Sequence, residues 1–268
     1  MSTPGSSVAD ELPRLKATVS LDFDEGINAE DLSTIIKSLD FINVACRHQT
    51  RSNIVLIDHI FRLASQNKVK VGACPSLSND QMQGISPGSI FCTPERLKAF
   101  FNFLIGALHG ISLEHKHPLS HIKSQGAIYV ETARNPKLAD AAVSAVPLFS
   151  PIATFVGLPS TEHQRATQTA QVTFLPEWHV DLKYDKDGIP IILNEQGSVT
   201  DEEVKQRVND LLNSRLISVD PEVKLPDDVT EVSINVNSST PEAIRIVRMV
   251  RELVETWNSG SGNDARDV

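Results

Sequence analysis

A chain of 268 residues, 40% of them hydrophobic and 22% charged, suits one large globular domain or two small ones. Its formal net charge of −9 argues against binding to the phosphate backbone of nucleic acids, which needs a basic face. Three cysteines do not make a disulfide framework, so a reducing compartment, the cytoplasm, is expected.

Both ends of the chain are polar. The amino terminus lacks the apolar core of a signal peptide, and no apolar run is long enough to span a bilayer, so we expect no membrane partner. We predict disordered tails at 1–16 and 258–268 around a single domain at 17–257.

Short apolar segments alternate with helical patterns along this domain. Strands are predicted at 17–23, 41–46, 68–73, 119–123, 152–158, 172–175 and 229–236. Helices are predicted at 28–39, 52–66, 93–115, 135–146, 162–170, 201–216 and 240–257. Four of these helices begin with a residue typical of an N-cap, namely Asn28, Thr93, Asn135 and Thr240, and a proline follows the last three.

This alternation predicts a parallel sheet covered by helices. No glycine-rich dinucleotide or Walker pattern follows a strand, so a (β/α) barrel of about seven parallel strands is favoured over an open nucleotide-binding sheet. In either fold the functional residues lie at the carboxyl ends of the strands, an edge that we call the rim.

The first two strands end in polar residues. Asp22 and Asp24 have the spacing of side chains on one face of a strand, which is compatible with acid–base chemistry or with two solvated loop carboxylates. After the second strand, Cys46 and His48 could form a nucleophile and base, or a packed thiol beside a loop histidine.

The third and fourth strands carry the next candidates. Cys74 is interpreted as a small half-buried thiol, and a reactive thiol is the less favoured alternative. Lys123 ends an apolar strand, where its charge requires a polar cleft, and Gln125 follows it. Gly126 would let the backbone approach a ligand closely, so this segment is predicted to belong to a site.

Three further groups of polar residues are candidates. The histidines of "HKHPLSH" (115–121) do not predict a metal site, because the first two fall at the end of the barrel away from the rim. Glu177, His179 and Asp181 alternate, and would share one face if the segment is extended; an exposed polar edge is the alternative. Asn235 and Asn237 precede a helix, where they could hold an anion or carbonyl or simply accompany its capping residues.

Six blocks in this order resemble the LamB/YcsF family, which includes the A-subunit of bacterial 5-oxoprolinase and lactam-utilisation proteins. The blocks are "SLDFDEG" (20–26), "NVACRHQTRS" (43–52), "GACPS" (72–76), "KSQGAIY" (123–129), the segment 177–184 and "NVNSSTP" (235–241). The resemblance covers roughly residues 19–254 and implies a distorted barrel related to polysaccharide deacetylases.

The resemblance also implies an activity, the ATP-coupled opening of 5-oxoproline to glutamate with partner subunits. ATP is the only cofactor considered, and only if that reaction is kept. The family's histidines fall on Gln49, Cys74, Gln125 and Asn237, and an amide side chain cannot take up a proton near neutral pH. Residues that match the family are Asp24, Lys123, Glu177, Asp181 and Tyr184.

We therefore predict a protein that acts on a small metabolite bearing a carboxylate, amide or lactam, with 5-oxoproline hydrolysis weak or lost. Candidate catalytic residues are Asp24, Lys123, Glu177 and Asp181, and candidate substrate-binding residues are Gln49, Cys74, Gln125, Gly126 and Asn237. No metal ligand is assigned. A noncatalytic protein for binding or assembly, and a specialised metabolic enzyme on the same scaffold, are the alternatives.

Overall fold

A computed structural model describes residues 13–23, 26–46, 54–76, 92–149, 153–192 and 198–260. The barrel strands are β1 (Lys16–Phe23), β2 (Phe41–Cys46), β3 (Lys70–Pro75), β4 (His121–Ile122), β5 (Thr154–Gly157), β6 (Thr173–His179) and β11 (Glu231–Asn237). These seven parallel strands close into a barrel in the order β1-β11-β6-β5-β4-β3-β2, which confirms the predicted fold.

Helices surround the barrel. Those described are α1 (Ala29–Ile35), followed by a 3₁₀ turn (Ile36–Ser38), α2 (Ile54–Asn67), α3 (Pro94–Glu114), α4 (Ala127–Arg134), α5 (Pro136–Val143), α6 (Val146–Phe149), α7 (Glu162–Ala170), α8 (Asp201–Ser214) and α9 (Ala243–Asn258). Within the described ranges, no helix combines the length and apolar character that a bilayer crossing requires.

Three of the predicted N-caps are confirmed. The side chains of Asn28, Thr93 and Asn135 each accept a hydrogen bond from the first turn of α1, α3 and α5. The prediction for Thr240 is wrong, since α9 begins at Ala243 after Glu242 in a left-handed conformation. The hydroxyl of Thr240 instead donates to the carboxylate of Asp181.

The sequence patterns missed helix α4 and two small ribbons outside the barrel. One ribbon pairs β7 (Lys183–Tyr184) with β8 (Pro190–Ile191), and the other pairs β9 (Leu216–Val219) with β10 (Glu222–Lys224). Helix α8 stops at Ser214, short of the predicted Leu216, because Arg215 takes a left-handed conformation that ends the helix and leads into β9.

Successive side chains along each barrel strand point alternately out of the barrel and into it. Outward-facing residues such as Leu21, Val44 and Ile234 are fully buried under the helices and form the apolar core. The other face turns polar side chains into the barrel, where hydrogen bonds cross from the end of β4 to β1 and β6. The inward-facing polar residues, each at most 3% exposed, are Ser20, Asp22, Asn43, His121, Lys123, Glu177, Ser233 and Asn235.

Candidate functional site

The barrel encloses an ionic centre built around Lys123. Its ammonium Nζ lies 2.9 and 3.1 Å from the two carboxylate oxygens of Asp22 and 2.7 Å from Oε1 of Glu177. The other oxygen of Glu177 accepts a hydrogen bond of 2.9 Å from the hydroxyl of Tyr129. The structure thus brings together two predicted catalytic residues, Lys123 and Glu177, and adds Asp22 and Tyr129.

The charges in this centre stabilise one another. Burial alone lowers the pKa of Lys123, but the adjacent carboxylates of Asp22 and Glu177 offset it and hold the pKa above its ordinary value. Burial raises the pKa of Glu177, while Lys123 and His179 outweigh that effect and hold it below its ordinary value. Lys123 is therefore protonated and Glu177 ionised at neutral pH.

Asn43 connects the ionic centre to a buried histidine. Its amide Nδ2 donates to Oδ1 of Asp22 at 2.7 Å, so its Oδ1 is the acceptor for Nε2 of His121. That ring occupies the space beside Gly72, where an added Cβ would lie 2.1 Å from Nε2. Only glycine at position 72 leaves room for the imidazole inside the barrel.

We expect His121 and His163 to be neutral throughout the range from pH 5 to 8. Burial, the largest influence on each, lowers both pKa values from 6.5 to about 3. Two-dimensional ¹H–¹⁵N NMR of the rings should show flat shifts for both, with Nε2 of His121 protonated. Because protonation is disfavoured only in the folded chain, the two residues stabilise the fold fully above pH 6.5 and progressively less down to about pH 3. The same histidines in the urea-unfolded chain should titrate near 6.5, and a midpoint above 5 in the folded chain would contradict the assignment.

A second hydrogen-bonded branch contains His179. Nδ2 of Asn235 donates to Nδ1 of His179 at 3.0 Å, while its Oδ1 accepts from the hydroxyl of Ser20 at 3.0 Å. The proton of a neutral His179 ring must then be on Nε2. Nε2 lies 3.1 Å from Oε2 of Glu177, but the geometry is not that of a hydrogen bond. The contact between the ring of His179 and the carboxylate of Glu177 is therefore electrostatic.

Asp181 lies apart from the ionic centre. It follows β6 in a turn and does not continue the strand, so the predicted alternation with Glu177 ends at His179. Its carboxylate accepts hydrogen bonds from the backbone N–H of Asn237 at 2.9 Å, from Nδ2 of that residue and from Thr240. These contacts hold the segment between β11 and α9, which is a positioning role.

Residues 124–126, which follow Lys123, and Cys74 at the end of β3 are among the described residues of the rim. Oε1 of Gln125 is buried and has no hydrogen-bond partner among the described residues. Gly126 has φ +68° and ψ −145°, a conformation that favours glycine, and precedes the first residue of α4. Burial, the largest cause, raises the pKa of the Cys74 thiol well above its ordinary value, so Cys74 stays protonated at neutral pH.

The other candidates from the sequence fall into two groups. Asp24, Gln49 and His48 are outside the described residues. His115 contacts Asp58 at 2.7 Å and His117 contacts the carbonyl of Val69 at 3.0 Å, so neither is free for a metal. In the described part of the chain, no group of three or more His, Cys, Asp or Glu side chains could hold a metal ion.

Sequence reasoning missed Asn43, Tyr129 and His121 as site residues. For Asp22 the sequence left two interpretations open, an acid–base group or a solvated loop carboxylate, and the structure places it in the ionic centre. For Tyr129 the signal was the spacing of Ile128, Tyr129 and Thr132, which is that of one face of a helix. In the structure these three residues lie on the buried face of α4.

Comparisons with known proteins agree with this architecture. A family model described as the LamB/YcsF family matches residues 20–261. The lactam utilization protein lamB of Emericella nidulans is 26% identical over 230 residues, covering 85% of this chain and 88% of that protein. The 5-oxoprolinase A-subunit of Staphylococcus saprophyticus subsp. saprophyticus is 28% identical over 221 residues, covering 81% and 85%.

A solved structure shows the same fold. The crystal structure of the lactam utilization protein from Thermus thermophilus superposes with a TM-score of 0.72 at 23% identity, covering 92% of this chain and 98% of that one. The closed parallel barrel and the family match over residues 20–261 show that this chain belongs to the LamB/YcsF family.

Proposed function

We propose that the chain acts on a small metabolite bearing a carboxylate or a cyclic amide, bound at the rim above the ionic centre of Asp22, Lys123 and Glu177. The observation that carries the proposal is this centre itself. Two carboxylates and a lysine are held in fixed, mutually bonded positions beneath the carboxyl ends of the strands, where barrel enzymes bind their substrates. Relatives named lactam utilization protein and 5-oxoprolinase A-subunit support the lactam as substrate class.

The roles in this proposal follow from protonation. Lys123 is too firmly protonated to be a base and Glu177 too firmly ionised to be an acid, so together with Asp22 they shape the electrostatic field of the site. Oε1 of Gln125, which is buried and has no partner in the described part of the chain, is suited to accept a hydrogen bond from an amide N–H of the ligand. Asp24 and Gln49 remain predicted site residues outside the described part of the chain.

We further propose that 5-oxoproline hydrolysis is weak or lost. Where the family pattern has histidines, this chain has an amide at Gln125 and Asn237 and, at Cys74, a thiol that stays protonated. None of these groups can exchange a proton near pH 7. Proton transfer by a positioned side chain contributes about 10²–10⁴-fold to a rate, so we expect turnover at least about 100-fold below that of a bacterial 5-oxoprolinase.

The test is glutamate formation from 5-oxoproline and ATP, with the other subunits of a bacterial 5-oxoprolinase and either this chain or the native A-subunit. Turnover by this chain at the native rate would overturn the predicted loss. A thermal-shift screen of lactams, cyclic imides and small carboxylates then tests binding, since a ligand of the folded state raises the melting temperature.

The matched variants are Gln125→Ala and Lys186→Ala. The first removes an unpaired acceptor at the rim and should abolish the ligand shift while leaving the ligand-free melting temperature nearly unchanged. The second removes an exposed lysine that pairs only with the neighbouring Asp187 among the described residues, and it should leave the shift intact. An unchanged shift in Gln125→Ala would place the ligand elsewhere.

A noncatalytic role in binding or assembly is the second candidate. The observation that favours it is that the hydrogen-bonding capacity of Lys123 is used within the ionic centre. Its ammonium donates to three carboxylate oxygens, two of Asp22 and one of Glu177, which leaves no proton for a ligand. Co-elution of this chain with the other oxoprolinase subunits, without turnover of any lactam in the screen, would establish this function.

A further inference from the structure

A cavity lies outside the barrel, between the β7–β8 ribbon, strand β9 and helix α8. Its volume is about 250 Å³. The buried rings of Trp178 and Tyr184 form part of its wall, and Leu182 and Ile217 add apolar surface. The space is below the range of about 300–1,000 Å³ typical of pockets for drug-sized ligands, so it suits a molecule the size of an amino acid.

Four charged side chains line this cavity, and their formal charges cancel. Lys183 and Arg207 are the cations, and Asp210 and Asp220 are the anions. Arg207 and Asp210 are three residues apart on α8, yet within this described helix the two form no ion pair with each other. A cavity that keeps opposite charges apart is complementary to a ligand that also carries both charges.

The hydrogen-bonding capacity of these groups is only partly used. Arg207 donates through Nη1 to the carbonyl oxygens of Val180 at 3.0 Å and Leu182 at 3.4 Å, which fixes its guanidinium at the cavity wall. Its Nε and Nη2 contact no acceptor among the described residues. Asp210 accepts one bond, from Gln206 at 2.8 Å. The anchored guanidinium therefore has donors left for a carboxylate, its preferred bidentate partner.

We propose that this cavity binds a free α-amino acid as a zwitterion. The carboxylate of the ligand pairs with Arg207 and Lys183, its ammonium pairs with Asp210 and Asp220, and its side chain packs against Trp178. The site is separate from the ionic centre of the barrel, and the proposal does not rest on the function proposed for that centre.

Trp178 makes the proposal directly measurable. The chain has two tryptophans, so the Trp257→Phe variant leaves Trp178, in the cavity wall, as the only one. Fluorescence of this variant is titrated with L-leucine, L-phenylalanine and L-glutamate. We expect a saturable change in Trp178 emission with at least one of them, and isothermal titration calorimetry on the unmodified chain should give the same dissociation constant.

Analogues and variants test the two charged contacts separately. Two analogues of the amino acid that binds are compared with it. The α-carboxamide lacks the negative carboxylate and the N-acetyl derivative lacks the positive ammonium, and each should bind at least about tenfold more weakly than the amino acid itself. Lys183→Ala and Asp210→Asn should each weaken binding of the zwitterion about tenfold, because each removes one charged partner. The matched control is Lys186→Ala, which removes an exposed lysine from the loop of the β7–β8 ribbon and should leave binding unchanged.

Three results would overturn the proposal. They are the absence of saturable binding of all three amino acids by both methods, equally tight binding of both analogues, and unaltered binding in both cavity variants. Circular dichroism of each variant confirms that it is folded, so loss of binding cannot arise from unfolding.

Discussion

Replacing Lys123 with methionine should lower the free energy of unfolding by about 3–5 kcal/mol, because the buried carboxylates of Asp22 and Glu177 lose the cation that they share. Urea denaturation at pH 7 measures the loss. The deficit should shrink towards pH 5, since a carboxylate without its cation takes up a proton more readily inside the barrel.

Two further variants are compared with Lys123→Met. Lys123→Met combined with Glu177→Gln should recover part of the loss, because one of the two uncompensated charges is gone. Lys186→Met, on the exposed β7–β8 loop, should change stability by less than about 0.5 kcal/mol. A Lys123→Met protein as stable as this control would show that the ionic centre contributes nothing to the fold.

The same centre sets the pH range of stability in the unmodified chain. The pKa of Lys123 is raised by folding, so its stabilisation is present below its unfolded pKa and disappears as pH rises through the folded value. The pKa of Glu177 is lowered, so its stabilisation is present above its unfolded pKa and disappears as pH falls through the folded value. Both contributions are complete in the neutral range.

Substituting Gly72 with alanine should cost about 3 kcal/mol or more, because the new methyl group would collide with the ring of His121 inside the barrel. That ring has nowhere to move, since it is held by Asn43 and Ser120 and packs edge-on against Phe41. Thermal and urea unfolding, monitored by circular dichroism, measure the change.

Gly110→Ala on α3 is the matched control. An added Cβ there meets no atom within 4 Å, so this substitution should stabilise the helix by about 0.5–1 kcal/mol. His121→Ala in the Gly72→Ala background removes the colliding ring, and the double variant should lose clearly less stability than the sum of the two single changes. Simple additivity would show that the two residues do not share this space.

The fold could be predicted because its signals are local. Runs such as "FINVAC" and capped helices such as the one after Thr93 carry their own periodicity, and their alternation fixes a parallel sheet. The sequence predicts that β6 ends at Leu175, because Pro176 interrupts the apolar run. In the structure the strand continues through Pro176 to His179.

The site could be predicted only in part, because its contacts depend on barrel closure. Lys123 was identified from the cost of its charge at the end of an apolar strand. Its partners are 101 and 54 residues away in sequence and lie across the barrel, so nothing near Lys123 in the chain indicates them. Asp181 was grouped with Glu177 by spacing alone, and the turn after His179 separated them.

The internal hydrogen bonding of the barrel makes this chain a practical host for introducing an acid–base group at the rim. Because Asp22, Lys123 and Glu177 bond to one another and, among the described residues, not to Cys74 or Gln125, those two positions can change without removing a partner from a buried charge. Gln125→His is the natural first step, since it puts an imidazole where the family pattern has one and removes an unpaired acceptor. Substitutions at these two rim positions and the stability of the scaffold are thus expected to be separable, which makes the chain suited to directed evolution.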